Sequence, residues 1–252
     1  MKKLLFTILI ALLPILVFAD AVEINGLYYN LNAEAKTAEV TKNPNKYTGD
    51  IVIPKSVKYE GNTYKVTSIG NFAFSFCTKV TSLTIPNSVT SIGLGAIEYC
   101  YALTSIDIPS SVKTIDSFAF DSCTGLTSIT IPNGVTVIES WTFDDCASLT
   151  SVIIPNSVTS IETYAFRKCV SLTSVTIPSS VTEIDKEAFL NCSQLATVSI
   201  GKGISVIKER AFANCVGLTD VYCFAESVPN THSDVFEGSN IENAKFCRCC
   251  RR

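Results

Sequence analysis

Seven cysteines, Cys77, Cys100, Cys123, Cys146, Cys169, Cys192 and Cys215, follow one another at steps of 23 residues. An aromatic residue three positions earlier keeps the same step at Phe74, Phe120, Phe143, Phe166, Phe189 and Phe212, with Ile97 as the one exception. A fixed period of about 20–50 residues marks a solenoid, in which each unit buries its apolar face only against its neighbours. This overrides the one or two globular domains that length alone would allow. It also argues against an ordinary enzyme and directs attention to a long surface.

The unit from Tyr101 to Cys123 shows how one coil is written. Ile106 and Ile108 flank Asp107, an alternation that predicts a short strand with both isoleucines facing inward. Pro109 ends it, because proline cannot donate to the ladder. Ser110 and Ser111 suit the following turn, Val112 and Ile115 point inward again, and Ser117–Phe120 is expected to round the far corner as a single helical or 3₁₀ turn. The columns recur along the chain. Val80, Leu103, Leu126, Leu149, Leu172, Leu195 and Leu218 form one, and Ile69, Ile92, Ile115, Ile138, Ile161, Ile184 and Ile207 another. The Ile-Pro step runs from Ile53-Pro54 to Ile177-Pro178 and then lapses to Ile200-Gly201. Stacked in register, such units form parallel sheets in which like packs on like. The first unit is longer, and its extra residues fall around Tyr59–Tyr64, which reads as a β-hairpin. Residues 20–70 therefore read as an atypical N-terminal cap together with the first irregular repeat.

Lys2 and Lys3 precede an apolar run from Leu4 to Phe18, followed by small residues at peptidase spacing, the pattern of a secretory signal over residues 1–19. The run is shorter than the roughly 20 residues of a membrane span, and no later segment is long and apolar enough to cross a bilayer. Without residues 1–19 the chain carries 18 basic and 23 acidic residues, a formal charge of −5. No basic stripe runs through the repeats, which makes nucleic acid a poor partner.

The consensus LTSI-x-IP-x-SVT-x-I-xxx-AF-xx-C, nearly intact from Leu149 to Cys169, resembles the BspA-like, or Treponema-type, leucine-rich repeats. The leader-like stretches NGLYYNL, GDIVIP and TYKVTSIG are similar to those of the same family. The resemblance spans roughly residues 22–244. It implies a right-handed leucine-rich-repeat solenoid of about eight coils, with short parallel strands and a β-rich N-terminal cap. It further implies a secreted or surface-displayed protein that binds other proteins in adhesion, and it brings no catalytic residues. On this reading residues 71–222 are the repeats and residues 223–252 a degenerate or truncated C-terminal unit. The chain departs from the family in Phe246-Cys247-Arg248-Cys249-Cys250-Arg251-Arg252, which we read as the mark of a frameshifted or truncated reading frame.

A secreted protein invites a disulfide reading of the cysteine column. Equivalent residues of stacked strands lie about 4.8 Å apart with parallel Cβ vectors, whereas a bridge needs converging Cβ atoms about 3.8 Å apart. Seven is also odd. The column is expected to consist of small buried hydrophobes, which leaves the cysteines outside its register, Cys223, Cys247, Cys249 and Cys250, as those of chemical interest. Their spacing fits no trusted zinc pattern. His232, the one histidine, lies in a polar loop with Ser233 and Asp234 but no triad geometry to support it. Asp144-Asp145 and Glu183-Ile184-Asp185 are expected to be solvated loop charges. Asn191-Cys192-Ser193 is a formal glycosylation sequon whose cysteine belongs to the core column. No metal or cofactor is expected.

The best candidate site is the outward face of the first strand: Ser105 and Asp107, Ser128 and Thr130, Ser151 and Ile153, Ser174 and Thr176, with Ser82/Thr84 and Thr197/Ser199 in the same rows and Asp220 and Tyr222 at the far end. Ser and Thr suit any exposed strand. The alternative is a recognition face on which Asp107, Ile153 and Tyr222 supply specificity. Extracellular or host surface proteins are the expected partners of a monomer. Glycans are a second class, although the face offers one aromatic, Tyr222. An ice-binding lattice and a non-functional truncated paralogue also remain open.

Overall fold

A computed structural model describes residues 21–241 and 245–246. The expected signal segment and the tail cysteines Cys247, Cys249 and Cys250 lie outside the described residues. The chain is a β-solenoid of about seven turns at the 23-residue step, rather than about eight. No α-helix occurs among the described residues.

Each coil contributes two short extended segments. The second segments stack in parallel with Ile69 opposite Ile92, Ile92 opposite Ile115, Ile138 opposite Ile161, Ile161 opposite Ile184 and Ile184 opposite Ile207. The first segments pair in three separate blocks. Thr48–Val52 pairs with Lys79–Thr84, Ser128–Thr130 with Ser151–Ile153, and Ser174–Ile177, Thr197–Ile200, Asp220–Cys223 and Lys245–Phe246 form a continuous parallel ladder. The segment Ser105–Ile108 corrects the sequence-based expectation. Ile106 is buried and Asp107 exposed, as alternation requires, but the segment joins no ladder and forms no strand. Periodicity sets which way side chains point. Whether two coils come close enough to exchange backbone bonds is settled by packing between them.

The corner is not helical either. Its amides are spent on the next coil: Phe74 N–H donates to Ala96 O, Ile97 to Ala119, Phe120 to Thr142, Phe143 to Ala165 and Phe166 to Ala188, at 2.7–2.9 Å. Bonds of that kind leave none for an i→i−4 helix. The chain turns instead through tight turns, such as Ala73 N–H to Gly70 O and Cys77 N–H to Phe74 O. Each coil places two residues in the left-handed region, for example Trp141 (φ 64°) and Asp145 (φ 53°), then Tyr164 (φ 60°) and Lys168 (φ 57°). A positive φ at the third residue is what a type II turn demands.

At the N-terminus, Val22–Ile24 and Leu27–Asn32 form a hairpin around Asn25 and Gly26, and Thr37–Thr41 returns to pair in parallel with Asn62–Ile69. Ser56–Tyr59 and Asn62–Ile69 make the hairpin expected at Tyr59–Tyr64, turning on Glu60 (φ 48°) and Gly61 (φ 76°). These strands extend the second ladder, and Tyr29, Val40 and Val66 close over the first coil, each fully buried.

The core is a stack of identical rungs. Phe120, Phe143, Phe166, Phe189 and Phe212 lie ring on ring, with centroids 5.0–5.3 Å apart and planes within 10° of parallel. Phe236 continues the stack at 5.6 Å although it follows Phe212 by 24 residues. The last coil therefore keeps the core while breaking the period by one residue.

Candidate functional site

The two candidate rows lie on one outward surface. Register places Val52 beside Thr84, Thr130 beside Ile153, Thr176 beside Ser199 and Ser199 beside Tyr222. Ser105, Asp107, Ser128, Thr130, Ser151, Ser174 and Thr176 are exposed, as are Ile153 at 62% and Tyr222 at 38%, while Asp220 is half-buried. Phe224, two residues beyond Tyr222 on the same side of its strand, is 49% exposed. Sequence reasoning had passed over it.

The hydroxyls of this region fall into two groups. Thr127 donates its hydroxyl to Thr104 O at 3.2 Å and Thr150 to Thr127 O at 3.0 Å. On the second ladder Thr159 bonds Thr136 O at 3.0 Å and Thr182 bonds Thr159 O at 3.2 Å. These threonines staple coil to coil. Ser105, Ser128, Thr130, Ser151, Ser174 and Thr176, one or more residues further on, make no such side-chain bond and stand free.

Two openings interrupt the face where the first ladder breaks. One, of about 310 Å³, lies between the unpaired segment and the next coil and is lined by Ser105, Ile106, Asp107, Ile108, Ser128 and Thr130. The other, of about 560 Å³, follows the break after Ser151–Ile153, with Ile153 at one side, Phe224 at the other, and Thr176, Ser199 and Gly201 among the residues between. Gly201 explains the lapse of the Ile-Pro step. A Cβ at this position would lie 2.5 Å from Ser179 N, so only glycine fits the close approach of the two coils.

The column cysteines are free and buried. They also do more than fill space. From Cys100 on, each thiol donates to the carbonyl of the corner residue one coil earlier: Cys100 to Phe74 O, Cys123 to Ile97 O, Cys146 to Phe120 O, Cys169 to Phe143 O, Cys192 to Phe166 O and Cys215 to Phe189 O, at 3.1–3.3 Å, while Cys77 accepts the Tyr47 N–H at 3.4 Å. In the last coil Ser239 takes over, its hydroxyl 2.6 Å from Phe212 O. Burial pushes the thiols up, that of Cys215 to about 12, so the reactive thiolate is suppressed. Cys223 is outside the cysteine column but keeps the 23-residue step of another. It lies opposite Ile200 and is buried, in the column of the Ile-Pro isoleucines.

The acidic residues correct another expectation. Asp144 is buried and accepts bonds from two of the three guanidinium nitrogens of Arg167, Nε at 2.7 Å and Nη2 at 2.6 Å, with the guanidinium over the rings of Trp141 and Tyr164. Lys208 Nζ reaches Glu183 at 2.6 Å and Asp185 at 3.1 Å. These are ties between coils rather than loose loop charges. Asp121, beside Asp144, is pushed up to about 6 by burial and then by its neighbour's charge. Asn191 of the sequon accepts a bond from the Asn214 amide at 2.9 Å, and its Cys192 is in the core. His232 bonds Asp234 through Nδ1, and no hydroxyl is hydrogen-bonded to its ring. Among the described residues no three His, Cys, Asp or Glu side chains are grouped to hold a metal. Phe118, Trp141 and Tyr164 form an aromatic row at the corner with centroids 5.5 and 4.3 Å apart. Phe118 and Trp141 are stacked, Trp141 and Tyr164 are tilted by 44°, and the Arg167 guanidinium lies over the latter two.

The family model for the BspA-type leucine-rich repeat region matches residues 54–169 and 136–251, in six copies. The chain belongs to the BspA-type leucine-rich-repeat family. Among solved structures, it is similar to a leucine-rich cell surface protein from Faecalibacterium prausnitzii, at 26% identity and a TM-score of 0.60, over 90% of this chain and 76% of that one. A leucine-rich repeat protein from Bacteroides ovatus matches with the same identity, score and coverage. The leucine-rich repeat protein of T. pallidum shares the fold, at 24% identity and a TM-score of 0.56, over 84% of this chain and 86% of that one. No curated protein sequence matches the chain. No helix among the described residues is long and apolar enough to cross a membrane.

Proposed function

We propose that this BspA-type chain is an exported, non-catalytic protein-interaction module that serves adhesion to host or other cell-surface proteins through the outward face of its first segments. The observation that carries this reading is the character of that face. Ile153, Tyr222 and Phe224 are exposed there among free hydroxyls, with an opening of about 560 Å³ between Ile153 and Phe224. Exposed large apolar side chains gathered on one surface mark interaction sites, and aromatic anchors beside a pocket supply most of the binding energy at protein interfaces. The cell-surface description of the F. prausnitzii neighbour supports export.

The test is a panel of extracellular matrix and host surface proteins, with a glycan array beside it, probed with the exported chain and with Ile153→Ser, Tyr222→Ser and Phe224→Ser. A protein ligand lost in these variants is the expected result. A ligand retained by all three, or one found only among glycans, would refute the proposal.

A further inference from the structure

We infer that the opening at Asp107 takes the cationic side chain of an extended partner segment, and that the groove between Ile153 and Phe224 takes an apolar side chain four residues away on the same segment. This rests on the strand-face reading above and specifies the chemistry of its partner. The backbone from Ser105 to Ile108 makes no hydrogen bond to either neighbouring coil, although Ile106 is buried. Buried backbone groups are nearly always partnered, by protein, water or ligand. In a parallel stack alternate residues direct their N–H and C=O groups to the coil on one side, so the unpaired segment presents carbonyl acceptors as well as amide donors to this opening. The neighbouring coils are held together at one end of it by the Thr127–Thr104 backbone and side-chain bonds, 3.1 and 3.2 Å, and no backbone bond joins them from Ser105 to Ile108. The result is a slot of about 310 Å³ with apolar Ile106 and Ile108, the hydroxyls of Ser105, Ser128 and Thr130, and one carboxylate.

That carboxylate is unengaged. Asp50, further along the face, accepts bonds from Thr81 and Ser82 at 2.7 and 2.8 Å, and Asp220 accepts them from Thr219 and Tyr222 at 2.9 and 3.4 Å. Asp107 has no hydrogen-bond or ion-pair partner. The outward positions from Ser105 to Tyr222 include Asp107 and Asp220 and no lysine or arginine. The charge complement of such a face is basic, and a group that brings several donors to carbonyls and a carboxylate is a guanidinium or an ammonium.

The second anchor follows from the spacing. The two openings are centred about three coil steps apart, roughly 14 Å at ~4.8 Å per step, which four residues of extended chain cover at ~3.3 Å each. A segment lying along the solenoid axis with a basic residue at one position and an apolar residue four positions later fills both. Hydroxyl-lined Ser128, Ser151 and Ser174 lie beneath the residues between.

An array of seven-residue peptides tests this directly. Each peptide carries one Arg and one Phe separated by one to five Ser or Gly residues, with Arg→Glu and Phe→Ser counterparts. It is probed with the exported chain, with Asp107→Asn, and with a Ser151→Arg/Ser174→Arg double variant that obstructs the face. The expected result is strongest capture of the i, i+4 peptides, about tenfold weaker capture by Asp107→Asn, and a loss of capture as salt is raised. Equal capture of Arg and Glu peptides, an unchanged Arg preference in Asp107→Asn, or no capture at all would overturn the inference. Capture lost in the double variant with an unchanged Arg preference in Asp107→Asn overturns the inference and leaves the strand-face reading standing. Capture kept in the double variant removes the strand-face reading itself.

Discussion

Replacing Phe143 with alanine measures what the stacked core contributes. The ring is 1% exposed and lies between Phe120 and Phe166, each with its centroid 5.3 Å away. Phe→Ala in a core costs about 3–5 kcal/mol, more where the surroundings cannot close over the gap. Here they cannot. Phe143 N–H is tied to Ala165 O at 2.9 Å and its carbonyl accepts the Cys169 thiol at 3.2 Å, so the coils on both sides keep their spacing. The upper half of the range, about 4–5 kcal/mol, is therefore expected. For a chain of this size each kcal/mol lowers Tm by about 2–4 °C, which makes the expected drop roughly 8–20 °C. Phe76→Ala is the control. Phe76 is also ring-stacked, on Tyr99 at 4.3 Å, but it is 52% exposed, and its loss should cost under about 1 kcal/mol. Thermal melts followed by circular dichroism read both, and hydrogen exchange should show protection lost first around coils 120–169, since stability in a solenoid is a nearest-neighbour property. A Phe143→Ala loss below about 1.5 kcal/mol, or one equal to that of Phe76→Ala, would refute the sandwiched placement.

The thiol donors give a second test: Cys169→Ser should be more stable than Cys169→Val by about 1 kcal/mol, because Ser239 shows a hydroxyl filling the same role, and the reverse order in denaturant melts would return the column to plain packing. Asp121 has its folded-state pKa raised to about 6 from 3.8. Its ionised form is therefore disfavoured in the fold, so this group lowers stability at pH 7 and the loss is relieved as pH falls through 6 toward 4. Asp121→Asn should gain on the order of 2 kcal/mol at pH 7 and little at about pH 3, and an equal gain at both pH values in urea titrations would contradict the shift. Gly201→Ala should cost about 1–3 kcal/mol by overpacking against Ser179, visible as a lower Tm, and a neutral result would show that the two coils can separate there. Lys168→Asn should stabilise by up to about 1 kcal/mol, because asparagine tolerates the left-handed conformation better than lysine, as Asn191 and Asn214 do one and two coils later. A lower Tm would rule that out.

The repeat made the fold legible. A column such as Cys77 to Cys215, or Ile69 to Ile207, is a linear property of the chain, and burying an apolar side chain every 23 residues admits one economical architecture. The hairpin at Tyr59–Tyr64 was legible for a similar local reason, since Glu60-Gly61 between alternating strands accepts two left-handed residues. The candidate rows followed from alternation alone, which states which side a residue faces. Reading charges at the same step would have found more: Asp144 and Arg167, Asp185 and Lys208, and Glu187 and Arg210 are each 23 residues apart and bonded.

Other features depended on how closely one coil approaches the next. Ser105–Ile108 has the same pattern as its neighbours yet joins no ladder, Gly201 is required only because Ser179 N lies where its Cβ would be, and the thiols act as donors because each corner carbonyl sits within 3.3 Å. The composition of the corner allowed a helix, and the bonds between coils excluded one. A period states what is stacked on what. Separations of a few tenths of an ångström along the axis decide which backbone groups bond and where the face opens, and those are sums over contacts between coils that no single repeat contains. The 23-residue period alone specifies the solenoid, its columns and its outward face. Contacts between coils leave the first ladder unpaired at Asp107 and between Ser151–Ile153 and Ser174–Ile177, because the separation of neighbouring backbones is a property of the stack.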